Sequence, residues 1–202
     1  MKLVLSRVPA RTILRTTQRV LFAAGVSLLG YCAWVLADAW VFQKTETAHL
    51  EQLVAERHEP TPVVIPVVPA PKETGLIGRI DIARLNLSVI IIEGTSAKTL
   101  RRAVGHISGT ALPGESGNVG LSGHRDTFFR PLEHVRHHDL ITLTTPRGKF
   151  RYRVVSRTVV DPSDTAILDA SDRESLTLVT CYPFTFIGSA PERFIVRAER
   201  SI

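Results

Sequence analysis

Residues Val20–Phe42 form an apolar run of 23 residues, interrupted mainly by glycines, Ser27, Tyr31 and Asp38. At about 1.5 Å per residue, a helix of this length crosses a hydrocarbon core of roughly 30 Å. The segment before it, residues 1–19, carries Lys2, Arg7, Arg11, Arg15 and Arg19 and no acid. Cations beside a span are retained on the cytoplasmic side, so the N-terminus is expected inside and residues 43–202 outside. Trp34, Trp40 and Phe42 suit the outer interface. Ala37-Asp38-Ala39 has the small-x-small form of a cleavage site, which makes a cleaved signal peptide the competing reading. The apolar stretch before that site exceeds a usual signal core, and this favours an uncleaved anchor. A lipoprotein is disfavoured because Tyr31 precedes Cys32, where a small residue is expected.

The net charge of +6 invites a nucleic-acid reading, but its distribution argues otherwise. Five of the cations precede the apolar run, and residues 75–202 hold 17 Lys/Arg against 13 Asp/Glu, an ordinary mildly basic surface. No nucleic-acid partner is expected. With 44% hydrophobic and 22% charged residues, the chain is neither disordered nor polytopic in a membrane.

Past the span, Gln43–His58 has Leu50, Leu53 and Val54 at helical spacing and reads as a short charged helix. Pro60, Pro62, Pro66, Pro69 and Pro71 then place five prolines in twelve residues. Such a stretch cannot hold a helix and favours extended polyproline II, so residues 43–74 read as a helix and stalk. Residues 75–202 follow as the folded domain. Strand-type alternation marks Leu76–Ile82, Leu87–Ile92, Val119–Ser122, Leu140–Thr144, Phe150–Val160, Leu176–Thr180 and Arg193–Ala198. Thr145-Pro146-Arg147-Gly148 is a hairpin signal. Only Ser96–Val104 and Phe128–Val135 look helical. Many short strands with few helices predict a mainly β, closed or nearly closed barrel.

Of the two cysteines, Cys32 lies in the apolar run, which leaves Cys181 a lone thiol in an exported domain. Cys181 follows the alternating Leu176-Thr177-Leu178-Val179-Thr180 and precedes Tyr182-Pro183, so it stands at a strand end, where loops converge. A buried structural thiol is the bland alternative. His124 ends Gly120-Leu121-Ser122-Gly123-His124, with glycines that allow close approach, and imidazole can deliver a proton to a departing amine. Arg193 opens Arg193-Phe194-Ile195-Val196-Arg197-Ala198, sharing a face with Ile195 and Arg197. A permanently charged guanidinium beside a thiol can stabilise an oxyanion or hold substrate carbonyls. His124 and Arg193 also admit plain readings, as a loop histidine and a surface arginine.

The combination is more specific than its parts. A strand ending Thr-Leu-Val-Thr-Cys181, a histidine 57 residues earlier and an arginine 12 residues later in Arg-Phe-Ile-Val resemble the sortase family. The likeness runs through Leu76–Ala198 and includes Gly105-His106, Gly109–Glu115 and Gly117-Asn118. It implies an eight-stranded sortase-type barrel with His124, Cys181 and Arg193 as catalytic residues. It also implies thiol transpeptidation of exported proteins: a C-terminal Leu-Pro-x-Thr-Gly or Leu-Pro-x-Thr-Ala signal is cut after Thr, and the protein passes to an amine acceptor such as a cell-wall precursor. Neither cofactor nor metal is called for, and the substrate-binding residues are left open. Within the family the chain is most similar to class D, with class E second. It carries an N-terminal anchor and no second apolar span, and residues 43–75 lack the Asp-Pro-aromatic lid motif usual in class C.

Other readings fit less well. His134, His137 and His138 with Asp139 do not fall on one helical face, so a metal site is disfavoured. The Ser-His-Gly-Cys motif of L,D-transpeptidases is missing, and papain-like enzymes place Cys before His. A non-catalytic, membrane-anchored barrel that binds sorting-signal-like peptides is the alternative from a different class.

Overall fold

A computed structural model describes residues 10–56, 75–186 and 188–201. The proline-rich stretch and the cations Lys2 and Arg7 lie outside these residues. The chain divides into two compact units between Trp40 and Val41. Helix α1 (Ala10–Glu56) is unbroken, so the span and the short charged helix expected after it are one element. It is the one helix among the described residues long and apolar enough to cross a membrane. In the first unit its Leu21, Phe22, Leu29 and Leu36 side chains are all exposed, as a lipid-facing surface requires.

The second unit is a closed barrel of eight strands: β1 (Leu76–Ile82), β2 (Leu87–Glu93), β3 (Val104–His106), β4 (Asn118–Ser122), β5 (Leu140–Thr145), β6 (Gly148–Val160), β7 (Ser175–Tyr182) and β8 (Glu192–Ser201). Around the barrel the order is β1-β2-β3-β4-β7-β8-β6-β5. Most neighbours are antiparallel, while β2–β3 and β4–β7 are parallel. Closure leaves no open sheet edge along the ring. Seven strands sit where alternation predicts them. β3 was not foreseen: helix α2 (Ala97–Arg102) stops two residues earlier than expected, and Val104 already pairs with Ile91. The second predicted helix is a 3-10 turn over Arg130–His134, with Pro131 in its first turn.

Alternation fills the interior. Ile80, Ile82, Leu121, Ile141, Leu143, Tyr152, Leu176, Leu178 and Val196 are fully buried in one core with Phe129 and Leu132. Each such side chain contributes roughly 1.5–3 kcal/mol by leaving water. Gly78 permits β1 to approach β5 closely, since a Cβ there would lie 2.2 Å from the Thr144 carbonyl oxygen. Thr145-Pro146-Arg147-Gly148 makes the expected β5–β6 hairpin, Thr145 pairing with Gly148.

Strand β2 is apolar on both faces. Val89 and Ile91 enter the core, whereas Ile90 and Ile92 form a second cluster with Leu50, Ala103 and the half-buried Phe42, Val54 and Leu76. Residues Val41–Glu56 of α1 therefore pack on the outside of the barrel, Leu50 being 1% exposed. The Gln43 amide locks this contact. Its Oε1 accepts from the Ile90 N–H at 2.9 Å and its Nε2 donates to the Arg102 carbonyl at 2.6 Å. The helix expected ahead of the proline-rich stalk is thus, over Val41–Glu56, a packed element of the second unit.

Candidate active site

The site forms where β4 and β7 end and β8 begins. Parallel pairing sets Ser122 of β4 beside Val179 of β7, so the residues that follow, Gly123 and His124, run alongside Thr180 and Cys181. Antiparallel pairing sets Cys181 directly opposite Arg193. Directly opposed residues share a face, with Cβ atoms about 4.5–5.5 Å apart. A small cleft of about 250 Å³ is lined by His124, Cys181 and Arg193 together with Arg125, Asp126 and Gly188–Ala190. All three residues predicted from sequence are thus brought to one cleft. Cys32 is exposed on α1, and both cysteines are free.

Each of the three is fixed through its backbone neighbours. Thr180 is 2% exposed, and its hydroxyl donates to the Gly123 carbonyl at 2.7 Å, tying the residue before Cys181 to the residue before His124. The Gly123 N–H donates to the Val179 carbonyl at 3.2 Å, extending the β4–β7 ladder by one step. The His124 carbonyl accepts from the Phe129 N–H at 3.1 Å, closing the turn beyond it. Gly123 has no Cβ, which would lie 2.8 Å from the Phe129 ring. Arg193 donates from Nη1 to the Glu192 carbonyl at 3.0 Å and the Ala190 carbonyl at 3.3 Å, which aims its guanidinium along the loop between β7 and β8. Opposite Arg193 on its other side, β6 ends at Val160. Next comes Asp161, whose carboxyl is held below the ordinary aspartate range by the Ser163 hydroxyl and N–H, with the nearby Arg193 charge adding to this.

Behind the cleft, Tyr182, Phe184 and Phe194 form an aromatic cluster with ring centroids 5.3 to 6.2 Å apart. These rings pack against the barrel core and give the β7–β8 end an apolar inner side. At the far end of β4 from the cleft, buried Asn118 organises the loop before β7. Its Oδ1 accepts from the Thr177 hydroxyl at 2.8 Å, and its Nδ2 donates to the Ile167 carbonyl at 3.1 Å.

Sequence reasoning missed Arg125. It follows His124, is 5% exposed, and donates to the carbonyls of Pro183, Phe186 and Gly188, the segment just after Cys181. The only signal available was its place beside the histidine. Among the described residues, no group of three or more His, Cys, Asp or Glu side chains is arranged to hold a metal ion.

Residues 80–201 match the sortase domain family along nearly the whole barrel. The chain belongs to the sortase family. Sortase D of Bacillus subtilis (strain 168) is 40% identical over 130 residues, 63% of this chain and 66% of that protein. Sortase SrtE1 of Streptomyces coelicolor is 33% identical over 123 residues, 52% of this chain and 35% of that protein. The chain thus spans less than two thirds of either relative. Among solved structures, a Clostridium perfringens Sortase D5 transpeptidase is 29% identical with a TM-score of 0.67, covering 80% of this chain and 99% of that one. These likenesses agree with the eight-stranded sortase barrel and with greatest similarity to class D.

Proposed function

We propose that this sortase is a membrane-anchored cysteine transpeptidase acting outside the cytoplasmic membrane on exported proteins with a C-terminal sorting signal. The observation that carries this reading is the cross-strand pairing of Cys181 with Arg193 in the cleft that His124 also lines. A thiol, an imidazole and a guanidinium can supply the nucleophile, the proton carrier and the oxyanion donor that amide cleavage through a thioester uses. Similarity to a protein described as a Sortase D5 transpeptidase supports the same chemistry.

In the first half-reaction the Cys181 thiolate attacks the carbonyl carbon between the signal's Thr and the next residue. Negative charge gathers on the carbonyl oxygen, where Arg193 stabilises it. As the tetrahedral intermediate collapses, the C–N bond breaks and His124 gives its proton to the departing amine. The acyl group remains on Cys181 as a thioester. In the second half-reaction an amine acceptor, such as a cell-wall precursor, attacks the thioester carbonyl. His124 takes the proton from this amine, and the thiolate leaves. Residues 75–202 carry the catalysis, residues 20–42 the span, and the basic segment 1–19 sets the N-terminus inside.

The test is incubation of the full chain, in detergent, with peptides of Leu-Pro-x-Thr-x form, followed by mass spectrometry. A thioester adduct on Cys181 and cleavage after Thr are expected, both lost in Cys181→Ala and retained in Cys32→Ala. Turnover by the Cys181→Ala chain would refute the assignment.

A further inference from the structure

Arg125 presents an unusual arrangement for a residue beside a catalytic histidine. It is a permanent cation, and burying one costs several kcal/mol unless its donors are satisfied. Here the satisfaction comes from neutral carbonyls. Nη1 donates to Pro183 at 2.9 Å, and Nη2 donates to Phe186 and to Gly188 at 3.0 Å. Asp126, 70% exposed, approaches Nε only to 3.5 Å, and Nε makes no hydrogen bond. The acceptors lie two, five and seven residues after Cys181, in the loop whose Gly188–Ala190 end lines the cleft. Within the loop the Phe186 N–H donates to the Pro183 carbonyl at 3.3 Å, and Arg130 Nη1 donates to the Phe184 carbonyl from outside it. Arg125 gathers three of the loop's carbonyls on one guanidinium, while Arg130 and Arg193 take one each, at Phe184 and Ala190.

The position of Arg125 is what gives it a consequence. His124 is flanked by two cross-links to the strand that bears the thiol. On one side Thr180, before Cys181, holds Gly123, before His124. On the other, Arg125, after His124, holds Pro183, after Tyr182. Stapled on both sides, the imidazole cannot drift from the thiol without breaking buried hydrogen bonds. We propose that Arg125 is a positioning residue that fixes the separation of His124 from Cys181 by gathering the carbonyls of the β7–β8 loop onto its guanidinium. Lysine cannot substitute. One ammonium on a flexible stem does not reproduce a planar fork serving three carbonyls, and a buried lysine readily gives up its charge.

This inference rests on the proposed roles of His124 and Cys181, so its test includes measurements that need no turnover. The material is the full chain in detergent, carrying Cys32→Ala so that only Cys181 reacts with iodoacetamide. Arg125→Lys is compared with Arg125→Ala and with Val154→Ala, a core variant remote from the cleft that also loses stability. In Arg125→Lys, kcat on a Leu-Pro-x-Thr-Gly peptide falls by about tenfold or more. Amide exchange across residues 183–190 quickens by about tenfold or more. The pH midpoint of Cys181 alkylation also moves. Val154→Ala shows none of these three changes, and millimolar guanidinium restores part of the rate to Arg125→Ala alone. Unchanged kcat and loop exchange in Arg125→Lys would overturn the proposal, as would Val154→Ala reproducing both effects. If no chain turns over peptide, the proposed reaction is at fault, and loop exchange with alkylation still decides the role of Arg125.

Discussion

Leu50 decides whether the helix that leaves the membrane segment belongs to the folded catalytic unit. It is 1% exposed against Ile90, Ile92 and Ala103, on the outside of the barrel rather than in its core. Leu50→Ala removes three carbons, which at about 0.8 kcal/mol per methylene is roughly 2.4 kcal/mol of lost burial. A cavity adds to that, but a helix lying on a surface can settle into the gap more easily than a core can. The total therefore falls near the lower end of the 2–5 kcal/mol range for such truncations, at about 2–3 kcal/mol. For a domain of this size about 2–4 °C is lost per kcal/mol, so the melting midpoint should drop by roughly 4–12 °C. The assay is thermal unfolding of the detergent-solubilised chain, followed by far-ultraviolet circular dichroism, with Leu178→Ala as the core control. A chain beginning at residue 75, with Ile90 and Ile92 bared, should also melt below one beginning at residue 41. If Leu50→Ala melts with wild type while Leu178→Ala is destabilised, the helix is a mere tether and the packing argument fails.

Arg193→Lys keeps the charge but loses the planar fork opposite Cys181, and peptide cleavage should fall by about 10²–10³, while Arg197→Lys, farther from the rim, changes it little. Thr180→Val leaves the Gly123 carbonyl without its buried donor; a stability loss of about 1–3 kcal/mol and a lower kcat are expected, and unchanged kinetics would dissociate this hydrogen bond from the site. Asp139 is held below the ordinary aspartate range, chiefly by the hydrogen bond from Arg84, with the Arg136 N–H adding. Because its folded-state value is depressed, its stabilisation is present above the unfolded value of about 3.9 and is lost as pH falls through the lower folded value. Asp139→Asn should thus melt below wild type at pH 7, with the gap closing under about pH 4; a gap independent of pH would exclude this linkage.

Much of the barrel was legible from residue pattern, whereas His124, Cys181 and Arg193, each weak alone, were singled out by their combined order and spacing and its resemblance to sortases. Alternation with period two survives wherever one face of a strand is buried and the other wetter, as in β1 and β6. It fails for β3, which has three residues and follows a helix closely enough to be absorbed into it. The docked helix left a sign that went unread. Val89-Ile90-Ile91-Ile92 is apolar without alternation, and a strand buried on both faces needs a cover outside the barrel. Arg125 was hidden for a different reason. Its partners are backbone carbonyls 58 to 63 residues away, and a carbonyl has no residue identity to read.

The order in which the strands appear along the chain also sets when the enzyme can exist. β8 carries Arg193 and lies between β7 and β6, so the ring cannot shut until Glu192–Ser201 is available. During synthesis at about 5–20 residues per second, His124 precedes Cys181 by roughly 3–11 s, and Arg193 trails by about 1–2 s more. Throughout that interval the thiol is present without its opposing guanidinium and beside a strand with one open edge. A chain made only as far as β7 therefore holds the thiol without the residue that pairs with it across the strands. The last-made strand completes both the ring and the Cys181–Arg193 pair, so closure of the barrel and assembly of the site are one event.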